Sequence, residues 1–281
     1  MSGSRRVPDF GYKGDKKMRI GIIGLGNMGG AILGGIVSKG IVSKENIIGF
    51  DVNDNMKNKA SEKYGIKTAS DNKEVLAASD VVLLAVKPQF MGSMLADIKD
   101  SWNNDTLVIS IAAGKTIAWL EENIGSDKKI VRCMPNTPAL IGEGCTGVCA
   151  NKNVSEEDKK TAISILSACG KAIEVTESQM DAVVGISGSA PAYVFMFIEA
   201  MADAGVAAGL TRDKAYEFAA SAVKGSAALM LETGKHPGEL KDMVCSPAGT
   251  TIAAVQVLEE GGFRGVIMDA VEACVERNRE L

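Results

Sequence analysis

The sequence predicts an α/β fold, a Rossmann-type doubly wound parallel sheet over 18–176, followed by an all-helical domain over 177–281. Three observations predict it. A β-run empties straight into G-x-G-x-x-G and a helix at Ile20–Gly29; apolar runs of strand length alternate with helical stretches as far as Met134; and from about Ser178 strand signals give way to long Ala-rich helices.

The elements follow in order. Ile20–Ile23 is a buried strand, and the helix after it runs from about Met28 to Lys39. Ile47–Asp51 reads as a second strand, and Met56–Tyr64 as a helix stopped by Gly65. Val81–Val86 is a continuous apolar run of strand length, the pattern of a parallel strand covered on both faces; Leu107–Ile111 and Lys129–Met134 repeat it. Ser155 with Asp158 makes a helix start of capping-box type, leading through Ile163 and Leu166 to Gly170. Beyond Ser178, Tyr193–Ala208 and Tyr216–Leu231 are apolar or Ala-lined around most of their circumference, and Phe263 to Val275 carries one apolar stripe at helical spacing. So much apolar helix cannot cover itself, so a homodimer through this half is expected. Residues 1–17 are polar and Gly-containing and read as a tag or disordered extension.

Composition excludes several classes. A net charge of −4 over 281 residues, with Lys and Arg interspersed among Asp and Glu, leaves no basic face for nucleic acid. No apolar run is expected to reach bilayer-spanning length and no secretory signal is evident, so a cytoplasmic protein without membrane contact is expected. The six cysteines form no C-x-x-C pair and suit reduced, buried thiols. No metal-ligand cluster, Walker loop or Ser/His/Asp set is apparent, and His236 is the single histidine.

The chemistry concentrates in two places. In the first, Gly24 permits a tight turn, Gly26 leaves room for a pyrophosphate, and Gly29 lets the helix pack on the strand, while the N–H groups of Asn27 and Met28 open the helix toward phosphate. That is the grammar of a dinucleotide site. Asp51 lies roughly 20 residues farther on, where a carboxylate accepts hydrogen bonds from ribose hydroxyls and repels a 2′-phosphate, which leans NAD(P)H selectivity toward NADH. The alternative is a solvated Asp51 with recognition by Asn53 or Lys57. Ala85-Val86-Lys87-Pro88 leaves the carboxyl end of a strand, where open α/β sheets bind ligands.

The second place is Cys245 to Ile252, where Ser246, Gly249, Thr250 and Thr251 enter an apolar helix. Hydroxyls and free N–H groups gathered there can converge on a carboxylate, the alternative being an ordinary N-cap. A chain this poor in acid–base side chains suits hydride transfer, in which a nicotinamide supplies the chemistry and the protein supplies position.

These segments together resemble the pyrroline-5-carboxylate reductase family. The likeness runs from about Met18 to Leu281 and is most specific at Lys241 to Ile252 with Leu258 to Arg264; Gly21–Gly29, Ala85–Pro88, Arg132–Pro138 and Gly188–Tyr193 match its other motifs. The resemblance implies NAD(P)H-dependent reduction of 1-pyrroline-5-carboxylate to L-proline, the last step of proline biosynthesis, by dimers that assemble as far as decamers. It places Asn72 and Ala85–Lys87 on the adenosine side, Met134 to Thr137, with Asn136, near the nicotinamide, Ser246 and the Thr250 amide on the substrate carboxylate, and Thr251 near the imine nitrogen as the catalytic contact. Ala190 and Asp51 depart from the family pattern, the latter bearing on cofactor preference alone. The rival readings are another imine reductase, a β-hydroxyacid dehydrogenase-like oxidoreductase, and a non-catalytic nucleotide-sensing scaffold.

Overall fold

The structure, a computed structural model, describes residues 18–280. The expected extension over 1–17 lies outside the described residues. The chain divides into two compact units, one made of the described residues up to Gly188 together with those from Asn278 on, the other Ser189–Arg277.

In the first unit, β1 (Ile20–Ile23), α1 (Asn27–Ser38), β2 (Ile47–Phe50), α2 (Asp54–Tyr64), β3 (Lys67–Thr68), α3 (Asn72–Ala77), β4 (Val81–Leu84), α4 (Pro88–Asp97), β5 (Leu107–Ser110), α5 (Ile117–Ile124) and β6 (Lys129–Met134) wind a parallel sheet. β7 (Gly144–Ala150), α6 (Glu156–Leu166), β8 (Gly170–Glu174) and the short helix α7 (Met180–Val183) complete it. The strand order is β3-β2-β1-β4-β5-β6-β7-β8, with β6–β7 the antiparallel pair. Alternate residues of the central strands feed two cores. Ile20, Ile22, Val81, Leu83, Leu107 and Ile109 face α1 and α6, while Ile23, Val82, Leu84 and Val108 face α3, α4 and α5. Both faces are therefore closed by helices, which is why those runs are apolar without alternation.

Local signals place the helix ends. Gly65 ends α2 in the left-handed conformation at φ 67°. Ser155 and Asp158 close a reciprocal capping box on α6. The segment beyond 176, read from the sequence as helical-domain territory, begins in the first unit: the Glu177 carboxylate accepts from Arg132 at 2.9 Å and from the Ile117 N–H at 2.6 Å, and Met180 packs with Ile117 and Cys149.

The second unit contains α8 (Ala190–Ala207), α9 (Arg212–Thr233), α10 (Pro237–Val244), α11 (Thr250–Glu260) and α12, which starts at Phe263 and runs to Arg279. Few of its side chains are buried, among them Ala202, Ala215 and Ala219, and large apolar ones stand in the open, Met196 at 70%, Phe218 at 65% and Val257 at 67% exposure. One expectation needs correction here. The run Glu177–Ala207 contains an 18-residue window of mean hydropathy 1.4, by length and composition alone apolar enough to cross a membrane, a test that a core helix of a water-soluble protein also passes.

Candidate active site

The three glycines of the first turn meet three different neighbours. Gly24 has φ +98°, and a Cβ there would come 2.5 Å from the Ala85 carbonyl oxygen. A Cβ on Gly29 would lie 2.0 Å from the Gly24 carbonyl oxygen, so this glycine holds α1 against the turn. A Cβ on Gly26 would meet nothing within 4 Å. Internal packing thus accounts for Gly24 and Gly29, and the space over Gly26 is open to a ligand. Gly26 is also the N-cap of α1 with no side-chain cap, and no acidic residue lies in the first turn, so the helix presents uncapped N–H groups and its positive dipole end.

Around this turn lies a cavity of about 520 Å³. Gly24, Gly26, Asp51, Asn72, Ala85, Val86 and Lys87 all line it, so residues from four separate segments of the predicted set converge. Asn27 opens instead onto the neighbouring groove along α1, Met28 packs on the core, and Pro88 stands at N1 of α4, where its ring starts the helix. The Asn72 Oδ1 is buried without a hydrogen-bond partner among the described residues, an acceptor whose need a ribose or adenine donor would meet. Val52, 90% exposed, and Phe90, 57% exposed, add apolar surface at the same cavity. Sequence reasoning missed both, and the one signal for Phe90 was its place in the first turn after Lys87-Pro88.

Asp51 is more committed than its position in the sequence suggested. Its Oδ2 accepts the Leu25 N–H at 2.7 Å and its Oδ1 the Asn53 N–H at 2.9 Å, so the carboxylate braces the Gly-rich turn while lining the cavity. Each oxygen keeps a second lone pair for a ribose hydroxyl. Of the alternative readers, the Asn53 side chain caps α2, and Lys57 pairs with Asp54 at 2.8 Å.

At the carboxyl end of β6, Met134 packs with Ile117, Cys149 and Met180, and Thr137 is exposed at the start of a 3₁₀ turn. Asn136, expected near the nicotinamide, directs its side chain at the protein. Its Nδ2 donates to the carbonyl oxygen and the hydroxyl of Ser187, both at 3.2 Å, and its Oδ1 accepts the Cys145 N–H at 2.9 Å. Both donors of the side chain are directed at the protein.

In the helical unit, the Gly249 N–H closes a turn onto the Ser246 carbonyl at 3.0 Å. A Cβ on Gly249 would lie 2.4 Å from the Ser246 hydroxyl, so the glycine makes room for that group. Gly249 is the N-cap of α11 and no side chain caps the helix, so the Thr250, Thr251 and Ser246 hydroxyls are not used as an ordinary cap. His236 is used as one: its Nδ1 accepts the Gly238 N–H at 3.1 Å at the start of α10. All six thiols are unpaired. Burial pushes Cys133 well up, Cys149 to about 11, and Cys169 up as well. Cys145, Cys245 and Cys274 are only half-buried, against the expectation that all six are buried.

Comparison with known proteins covers both units. A family model described as pyrroline-5-carboxylate reductase dimerisation matches residues 177–281, and one described as NADP oxidoreductase coenzyme F420-dependent matches 19–114. A pyrroline-5-carboxylate reductase of Escherichia coli K12 is 49% identical over 263 residues, covering 94% of this chain and 98% of that one. One from Methanosarcina acetivorans is 46% identical over 95% of this chain and 98% of its own. Among solved structures, a Plasmodium falciparum pyrroline carboxylate reductase with NADP bound aligns at TM-score 0.84 and 39% identity, covering 94% of this chain and 97% of that one. The Coxiella burnetii pyrroline-5-carboxylate reductase aligns at 0.89 and 36%, covering 94% and 98%.

Proposed function

The chain belongs to the pyrroline-5-carboxylate reductase family, and from that premise we propose that it reduces 1-pyrroline-5-carboxylate to L-proline, the last step of proline biosynthesis, with NAD(P)H. The observation that carries the reading is 49% identity over 94% of the chain to a relative of that name, across both units. The enzyme is an NAD(P)H oxidoreductase acting on a CH–NH group, and its helical half is a dimerisation unit.

Reduction of the ring C=N bond adds a hydride to the imine carbon, C2 of the substrate ring and C5 of proline, and a proton to nitrogen, and the nicotinamide supplies the hydride when bound. The chain's own residues hold the partners in place. Gly26 and the uncapped start of α1 take the pyrophosphate, Asn72 and Asp51 the adenosine ribose, and Ala85 to Lys87 the wall beside it. The Gly249 N–H, expected on the substrate carboxylate, is already given to the Ser246 carbonyl, so Ser246 and the N–H groups of Thr250 and Thr251 hold that carboxylate, the role supported by a helix start that no side chain caps. The Thr251 hydroxyl orients the ring nitrogen, one or two bonds from that carboxylate. A protonated imine already carries its proton, so Thr251 need not be a strong acid.

Asp51 favours NADH within the same proposal, because a carboxylate facing a 2′-phosphate is a like-charge contact. The Plasmodium relative has NADP bound, so the two cofactors must be compared directly. Assembly of the dimers into a decamer and a cytoplasmic location complete the proposal. Initial rates with pyrroline-5-carboxylate and each reduced cofactor test it. Substrate-dependent oxidation of NADH, and more slowly of NADPH, is expected; no oxidation of either returns the chain to the class of nucleotide-binding scaffolds.

A further inference from the structure

The turn Met134–Thr137 leaves the carboxyl end of β6, and the order β1-β4-β5-β6 puts that end on the side of the sheet where the second half of a dinucleotide lies in a doubly wound fold. Asn136 ties this turn to a segment 51 residues later in the chain. Beyond its three bonds, the Ser187 hydroxyl donates to the Cys145 carbonyl at 3.3 Å, closing a ring among Asn136, Cys145 and Ser187. Ser187 sits in a π-helical turn, Val184–Gly188, which follows α7. Such turns carry one residue more than an α-turn, need support from outside the helix, and recur at functional sites. Here the support is polar: Asn136 takes the Ser187 carbonyl that the wide turn offers. Contact closes it further, since a Cβ on Gly188 would come 2.9 Å from the Met134 Cε. Ile186, in the same turn, is directed outward at 71% exposure.

We propose that Asn136 and Ser187 are a positioning pair that fixes the Met134–Thr137 turn, and thereby the seat of the nicotinamide ring, without touching the cofactor's adenosine half. The inference rests on the reading of this chain as an NAD(P)H-dependent reductase. Its physical basis is that the pair joins irregular backbone to irregular backbone through directional bonds, which fix a geometry that apolar packing leaves loose. Hydride transfer is sensitive to displacements of an ångström or less, so a loosened seat costs turnover before it costs binding.

The test uses Asn136→Ala, Ser187→Ala and Ser187→Thr in the full chain, with ADP-ribose as a probe that carries the adenosine and pyrophosphate but no nicotinamide. Asn136→Ala is expected to lower kcat about 10- to 100-fold and Ser187→Ala about 3- to 10-fold, with ADP-ribose affinity held within about twofold. Ser187→Thr, which keeps the hydroxyl, should return kcat to within about threefold of wild type. The deuterium isotope effect with cofactor labelled at the transferred position should rise in the alanine variants, a change that a general loss of stability does not produce. Folded alanine variants with wild-type kcat overturn the proposal, as does an equal loss of ADP-ribose and NAD(P)H affinity. If Asn136→Ala does not fold, Ser187→Ala decides alone. Failure of the wild type to reduce pyrroline-5-carboxylate would count against the functional reading, whereas the ratio of NAD(P)H to ADP-ribose affinity still reports on the pair.

Discussion

In the sheet unit, Ile20, Ile22 and Leu33 are 0% exposed and two cores flank one sheet, whereas in the helical unit Met196, Phe195 and Phe218 stand 62% to 70% exposed. The first unit closes its own apolar surface. The second leaves most of it open, in a segment whose family description is dimerisation. A unit with a finished core can give up a surface group and stay folded, so its variants report on ligands; a unit without one reports first on its partner copy.

The largest effect should come from the open unit. Met196→Glu with Phe218→Glu places two charges on surface that a second copy must cover, and an unpaired buried charge costs several kcal/mol, on the order of 3–5. Light scattering should find the wild type dimeric or larger and the double variant dissociated, with activity lost. A wild type that is a stable monomer at micromolar concentration would sink the comparison itself.

Within the closed unit, Gly26 and Gly29 separate ligand from fold. Gly29→Val drives a side chain into the Gly24 carbonyl 2.0 Å away and should leave little folded protein. A Cβ on Gly26 meets no protein atom within 4 Å, so for Gly26→Val the thermal midpoint should stay near wild type while NAD(P)H affinity falls by roughly 100-fold or more. Equal destabilisation by the two would show that the space over Gly26 is structural. In the open unit, Thr251→Ala should lower kcat/KM by roughly 10- to 1000-fold with cofactor affinity unchanged, the span of one orienting or proton-transfer contact. Near wild-type turnover would move that contact elsewhere.

The same contrast governs what the sequence reveals. β1, β4, β5 and β6 were legible because burial on both faces demands unbroken apolar runs. β7 was not, although Val148 is fully buried in it, because Gly144 and Gly147 sit where Ala139 and Val183 leave no room for a Cβ, and those glycines dilute the strand pattern. β8 was missed for the opposite reason, as an edge strand with most of its residues exposed. At the candidate site, the glycines, Asp51 and the 85–87 stretch follow from local grammar, and Asn72 from the family resemblance. The commitments of Asn136 to Ser187 and of Asp51 to Leu25 do not, because a side chain's hydrogen-bond partner across 51 or 26 residues leaves no periodic trace.

Asp51 allows a smaller and sharper test. Asp51→Ser removes the like charge from the 2′ position and should shift selectivity toward NADPH by roughly fivefold or more, the equivalent of about 1 kcal/mol. The substitution also leaves the Leu25 and Asn53 N–H groups with a poorer acceptor, so a loss of stability on the order of 1 kcal/mol should accompany the shift. Lost stability with unchanged selectivity would make Asp51 a brace of the turn and nothing more.

The smallest effect is expected at Ala248, which at φ +56° is the one non-glycine residue in left-handed backbone among the described residues. The Ser246 carbonyl accepts the Gly249 N–H, and Pro247 and Ala248 occupy the two central positions, so the turn asks for positive φ at its third residue, where glycine is the usual choice. A Cβ in that region costs roughly 1–2 kcal/mol. Ala248→Gly removes the strain but gives the unfolded chain back the freedom of a glycine, worth roughly 0.4–1 kcal/mol. The net expectation is a gain of up to about 1 kcal/mol, or roughly 2–4 °C in Tm. If the strain also holds Ser246 and the Thr250 and Thr251 amides in their relative places, the gain in Tm comes with a rise in KM for the substrate and no change in cofactor affinity. A rise in Tm with KM unmoved would assign the strain to the turn alone, and a fall in Tm would show that the methyl group makes contacts that outweigh its backbone cost.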